Sequence, residues 1–134
     1  MQDDGWSIYD FRGSGTWPEH WPPVHYRPAG ENAYEFKVDT DARHGNLLSG
    51  LHGAFLAGLG EHVLAIPLMS RAMQNVTVSY AIDYPGAGSA GKPIFGNLRV
   101  KQETGRMLFL SFEMAQDDRC IAHGSGVVRK LPGV

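Results

Sequence analysis

Residues 53–69 read GAFLAGLGEHVLAIPLM, and the way this stretch folds decides the rest of the chain. Phe55, Leu56, Leu59, Val63, Leu64 and Ile66 fall at spacings that cover most of a helix circumference. A helix that is apolar on nearly every side must be wrapped by other structure. Pro67 has no N–H, and its ring clashes with the carbonyl four residues back, so it ends or kinks that helix. The apolar run approaches the length of a membrane span, but Glu61 and His62 near its middle favour a helix buried in protein.

On the N-terminal side, residues 33–39 alternate strictly, with Tyr34, Phe36 and Val38 opposed to Glu35, Lys37 and Asp39, which is the pattern of a half-buried strand. On the C-terminal side, residues 75–83 place Val76, Val78, Tyr80 and Ile82 on one predicted face. The loop YPGAGSAGKP follows. Further strands are predicted over about 94–102, 107–114 and 120–130, joined by the tight turns ETGR and AQDDR. One strand, one helix and four strands on short turns imply an α+β fold, an antiparallel sheet with a single helix against one face. Residues 1–32 hold three Trp and four of the eight Pro and show no sustained period. They read as an irregular Pro/Trp-rich arm, with at most a short helical turn, packed on a domain formed by residues 33–134.

The 134 residues suffice for one core and leave no room for a second domain. A balance of 12 basic and 14 acidic side chains, with no basic run, argues against nucleic acid as a partner. A single cysteine, Cys120, and a start, MQDDGWSIYD, that carries acids where a secretory signal needs basic and apolar residues point to the cytoplasm and away from the membrane. The six histidines form no metal-type cluster, so no metal site is expected. Ser14 and Ser125, each in a GSG triplet, lack the strand-to-helix context of a nucleophile elbow.

Glu61 is the conspicuous chemical feature. A carboxylate among apolar neighbours must be desolvated, paired, or placed at a surface that another molecule covers. Either catalysis or a structural hydrogen bond satisfies that demand. His52 and Gly53 lie where the loop becomes the helix, so the Gly53 N–H is one of the donors that helix geometry leaves without an internal acceptor. Helped by the helix dipole, such an amide binds a carbonyl oxygen as negative charge develops on it. Eight residues of helix carry Glu61 about 80° round and about 12 Å along from Gly53, too far for one substrate carbonyl to touch both. If they cooperate, a second copy of the helix supplies the partner group, which predicts a homodimer with sites at its interface.

The stretch NLLSGLHG (46–53), the acid eight residues after its last glycine, and the strand VTVSYAIDY before a Pro/Gly loop resemble the hotdog-fold thioesterases of the phenylacetate-degradation (PaaI-like) type, within the 4-hydroxybenzoyl-CoA thioesterase superfamily. The resemblance spans about residues 24–130 in element order, with the specific motif in 46–61. It implies a hotdog fold, an antiparallel β-sheet wrapped around one long central helix. It also implies an acyl-CoA thioester substrate, no cofactor beyond the coenzyme A of that substrate, and a homodimer or a dimer of dimers. By the same resemblance Gly53 polarises the thioester carbonyl, with His52 helping to fix the substrate or the loop. Glu61 of the opposite subunit acts as nucleophile or base, Asn46 orients the attacking water, and Ser79 supplies a hydroxyl near the acid.

There are departures from the family pattern. Ala54 stands where a second glycine is usual, Ala65 where one branch has a hydroxyl residue, and Glu61 where Asp is commoner. Cations for the coenzyme A phosphates are available in Arg71, Lys92, Lys101 and Arg106. Two other readings compete. One is a non-catalytic acyl-CoA binding or sensor protein, which has no need for a carboxylate beside the carbonyl. The other is a hotdog enoyl-CoA hydratase built on Asp39 and His44, which lacks the Asn-Pro pair that should follow.

Overall fold

The computed structural model describes residues 5–132. Helix α1 (Gly53–Val63) stops at the residue whose carbonyl would accept an N–H from position 67, which Pro67 lacks. The chain then turns through Leu64 and Ala65, and the four-residue α2 (Ile66–Met69) carries Pro67 in its first turn, where a missing N–H costs nothing. Leu56, Leu59, Val63, Leu64 and Ile66 are all buried.

Seven strands surround them: β1 (Ser7–Tyr9), β2 (Val24–Pro28), β3 (Ala33–Val38), β4 (Asn75–Asp83), β5 (Ile94–Glu103), β6 (Met107–Gln116) and β7 (Arg119–Lys130). They form one antiparallel sheet in the order β1-β2-β3-β5-β6-β7-β4, with α1 against one face. This is the hotdog arrangement. The β6–β7 hairpin turns on Asp117 and Asp118, both in the left-handed region (φ 51° and 61°), which short acidic side chains tolerate and which matches the twist of the strands. Helix and sheet approach closely because the contact positions lack side chains. A Cβ added at Gly60 would lie 2.6 Å from the Phe112 ring, and one added at Gly124 would lie 2.8 Å from the same ring.

Two expectations are revised. The stretch read as an irregular arm holds strands β1 and β2, which extend the sheet beyond β3, as well as a 3-10 turn over Trp17–His20. Three and five residues, broken by prolines and glycines, are too short to show a period. The predicted single face of Val76, Val78, Tyr80 and Ile82 is split by a bulge between Thr77 and Ser79. Val76 and Val78 are 46% and 49% exposed, while Tyr80 and Ile82 pack on the core together with the inward Thr77.

The arm closes over the helix. Trp21 comes so near Gly58 that a Cβ there would sit 2.7 Å from its ring. Trp6 is buried under Arg27 and Lys37, whose charges lie 4.1 and 4.5 Å from ring centroids, while Trp17 stays exposed. His62 is stacked on Tyr9 at 4.3 Å and meets the edges of Trp21 at 4.7 Å and Phe11 at 5.7 Å.

Burial pushes the His62 imidazole down to about 4. An unfolded histidine protonates near 6.5, so acidification between these two values loads protons onto the unfolded chain alone and removes stability, up to about 3 kcal/mol by pH 4. The melting temperature is therefore expected to fall from pH 6.5 to pH 4 more steeply in the parent than in His62→Leu, as read by calorimetry across that range.

Candidate active site

The loop before α1 is held from three sides. Its Asn46 Oδ1 accepts the Leu48 and Gly50 N–H groups at 2.8 and 3.0 Å, and the Asn46 N–H reaches the Gly50 carbonyl at 2.7 Å. Ser49 takes the left-handed conformation (φ 68°) that this tight turn needs. Leu51 N–H donates to the Gly88 carbonyl at 3.0 Å and His52 N–H to the His44 carbonyl at 2.9 Å. Asn46 thus shapes the loop through its oxygen, while its Nδ2 makes one long contact, 3.5 Å, to the Leu51 carbonyl.

His52 is the N-cap of α1, its Nδ1 accepting the Ala54 N–H at 3.0 Å. Gly53 is therefore the first helical residue, where the N–H has no acceptor within the helix and the dipole favours negative charge. The Tyr84 hydroxyl donates to the Gly53 carbonyl at 3.0 Å, and its ring stands 3.7 Å from where a Gly53 Cβ would be. The side that glycine leaves open is thus walled by an aromatic ring.

Glu61 leaves the buried helix through a seam. The first and last strands of the sheet order, β1 and β4, both reach this side of α1, and among the described residues they do not pair with each other. Between them lies a cavity of about 430 Å³ lined by Tyr9, Glu61, His62, Asn75, Val76 and Thr77, with Ala65 at its end. The carboxylate is exposed, and it accepts the Thr77 hydroxyl at 2.5 Å. Its negative charge, after burial, is a cause of the upward shift of the Tyr9 hydroxyl to about 12, and it contributes to the same direction at Tyr80.

The other predicted residues are scattered. Ser79 is turned to the outer face by the bulge and lines a groove with Lys101, Phe109 and Ser125, so within one chain Thr77 takes the place beside Glu61. Arg71 pairs with Glu103, at 3.1 Å, and Lys92 with Asp117, at 2.6 Å, while Arg106 sits in the exposed β5–β6 turn. His44 accepts the Asp41 N–H at 3.0 Å and stacks on Phe55, and burial lowers its pKa; Asp39 is exposed and is not its partner. A second cavity of about 740 Å³ lies on the arm side, lined by Arg12, His20, His25, Asp39 and His44 among others. Its Arg12 is held by Asp10 at 2.8 Å. No group of three metal-ligating side chains occurs among the described residues, and none of their helices is long and apolar enough to cross a membrane.

Tyr9, Thr77 and Tyr84 were not singled out by the sequence. Only Thr77 left a trace, as a hydroxyl residue on the strand that follows the helix.

No family model and no curated protein matches the sequence. Solved structures do. A conserved protein of Pseudomonas aeruginosa is 24% identical, with a TM-score of 0.71 over 81% of this chain and 88% of that one. The PaaI protein from the phenylacetic acid degradation operon of E. coli is 19% identical, with a TM-score of 0.73 over 82% and 80%. A hypothetical thioesterase of Streptococcus pneumoniae, solved with coenzyme A, is 13% identical, with a TM-score of 0.73 over 81% and 85%. The structural neighbours are thus PaaI and thioesterase-superfamily hotdog proteins, and at these identities they establish the fold.

Removing the Asn46 side chain leaves the Leu48 and Gly50 N–H groups without their acceptor. Asn46→Ala is expected to cost about 1–2 kcal/mol in urea denaturation, with faster amide exchange confined to residues 46–53.

Proposed function

We propose that this protein is an acyl-CoA thioesterase, hydrolysing an aryl- or acyl-CoA thioester to the free acid and coenzyme A. The observation that carries the proposal is the pair of groups on α1: a bare N–H at Gly53, and a carboxylate at Glu61 that opens into a cavity although its neighbours Gly60, His62 and Val63 are buried. Together they match the two demands of acyl transfer, stabilisation of an oxyanion and delivery of a nucleophile. The hotdog neighbours described as thioesterases, one of them holding coenzyme A, support the same reading.

The two groups lie about 12 Å apart along one helix, so the working site joins Gly53 of one protomer to Glu61 of a second. The thioester carbonyl oxygen accepts the Gly53 N–H and gains negative charge as the carbon is attacked. His52 holds the loop that aims this N–H, and the Nδ2 donors of Asn46 are available to a water or to the substrate. Glu61, steadied by Thr77, either attacks the carbonyl carbon, giving an anhydride that water then opens, or takes a proton from a water that attacks. In both routes the C–S bond breaks, the thiolate takes up a proton, and acid and thiol leave.

The dimer rests on exposed apolar surface next to these groups: Val76 and Val78 on the edge strand β4, and Leu47 and Leu48, 103% and 88% exposed, at the tip of the loop before the helix. A dimer, alone or paired into a tetramer, covers them. Of the cations, Lys101 and Arg106 are proposed for the coenzyme A phosphates ahead of Arg71 and Lys92, which already hold carboxylates. The location proposed is the cytoplasm.

Purified protein is expected to release free thiol from at least one of a panel of aryl-, short- and medium-chain acyl-CoA thioesters, followed with a thiol-trapping dye. Glu61→Ala should lower that rate at least about 100-fold. Equal rates would remove Glu61 from the mechanism. Sedimentation at micromolar concentration is expected to give the mass of a dimer or tetramer, and a strictly monomeric mass would rule out the shared site.

A further inference from the structure

Tyr9 reaches the Glu61 cavity from the N-terminal strand, at the far end of the sheet order from Thr77, so the two edges of one sheet meet at one carboxylate. Its ring is fixed, stacked on His62 and edged by Phe11 at 4.8 Å. Its hydroxyl is not fixed. Tyr80 and Tyr84 give theirs to the carbonyls of Ala57 and Gly53, at 2.7 and 3.0 Å, whereas the Tyr9 hydroxyl makes no hydrogen bond among the described residues. Among the described residues no side-chain polar atom is left buried without a partner, so this hydroxyl is accessible, on a side chain that lines the cavity.

We infer that Tyr9 is a specificity-determining residue, whose hydroxyl hydrogen-bonds an uncharged polar group, a hydroxyl or a carbonyl, carried on a compact acyl chain. The inference rests on reading this cavity as the place of the acyl group next to the proposed nucleophile. The walls argue for that class of ligand. Tyr9, Glu61, His62, Asn75 and Thr77 make them largely polar, which disfavours a long aliphatic chain. The Glu61 carboxylate repels an acyl group that ends in a second carboxylate. With its pKa raised to about 12, by burial first and by Glu61 second, the hydroxyl stays protonated at neutral pH and is a donor as well as an acceptor. His62, stacked on its ring, is held neutral by burial and adds no charge.

The test is direct binding, by calorimetry at pH 7.5, of hydrolysis-inert thioether analogues of hydroxybutyryl-CoA, butyryl-CoA and succinyl-CoA to the parent and to Tyr9→Phe. Phenylalanine keeps the stack on His62 and deletes only the hydroxyl. The parent is expected to bind the hydroxybutyryl analogue about five- to tenfold tighter than the butyryl one, and the succinyl analogue weakest. In Tyr9→Phe the ratio of the first two affinities should fall to about one. Were Tyr9 only a packing residue, the substitution would weaken both analogues alike and leave the ratio unchanged. That result, a ratio near one in the parent, or no binding of either analogue overturns the inference. Thiol release from the matching thioesters by the parent but not by Glu61→Ala reports separately on the thioesterase reading, so the two are distinguished.

Discussion

Helix α1 is apolar on nearly every side, and no flat surface buries such a helix. Each of Leu56, Leu59, Val63 and Leu64 contributes roughly 1.5–3 kcal/mol only if water is removed from all round it. The sheet therefore has to curl, and Gly126 of β7 leaves room for the side chain of Leu64 at the helix end. The direction of the helix, and with it the places of Gly53 and Glu61, follows from this one packing demand.

A curled sheet brings its two edges towards each other. In this chain they are β1 and β4, and a cavity between them, where among the described residues they do not pair, gives Glu61 of α1 its way to solvent. The conflict between a carboxylate and its apolar surroundings is resolved by topology: it stays exposed, hydrogen-bonded to Thr77, and is not sealed in the core. The other titratable group of this stretch, His62, is buried beside the same cavity and kept neutral under Tyr9, Phe11 and Trp21. Adjacent positions on one helix thus carry an exposed charge and a buried neutral ring.

The helix start obeys a different logic. It is built by polar contacts, and almost all of them are local: Asn46 to Leu48 and Gly50, and His52 to Ala54. A few longer links to His44, Gly88 and Tyr84 hold the loop to its surroundings. The direction of the Gly53 N–H is therefore set mostly by contacts within the loop and the helix start.

From the sequence alone came the helix and the interruption that Pro67 imposes on it, the strands β3 and β4, the turns between the last three strands, and the motif that places Gly53 eight residues before Glu61. Each depends on residues within a few positions of one another: a period of 3.6 or 2, a missing proline N–H, a short motif at a helix start. What the tertiary structure decided depends on distant partners. The bulge in β4 set Thr77 and not Ser79 next to Glu61, because the register against β7 shifts there, and simple alternation has no sign for that. The arm became two strands because β3 offered a free edge to a segment too short to show a period. Tyr9, fifty-two residues away from Glu61 in the chain, came to share its cavity only because the sheet closes on itself around the helix.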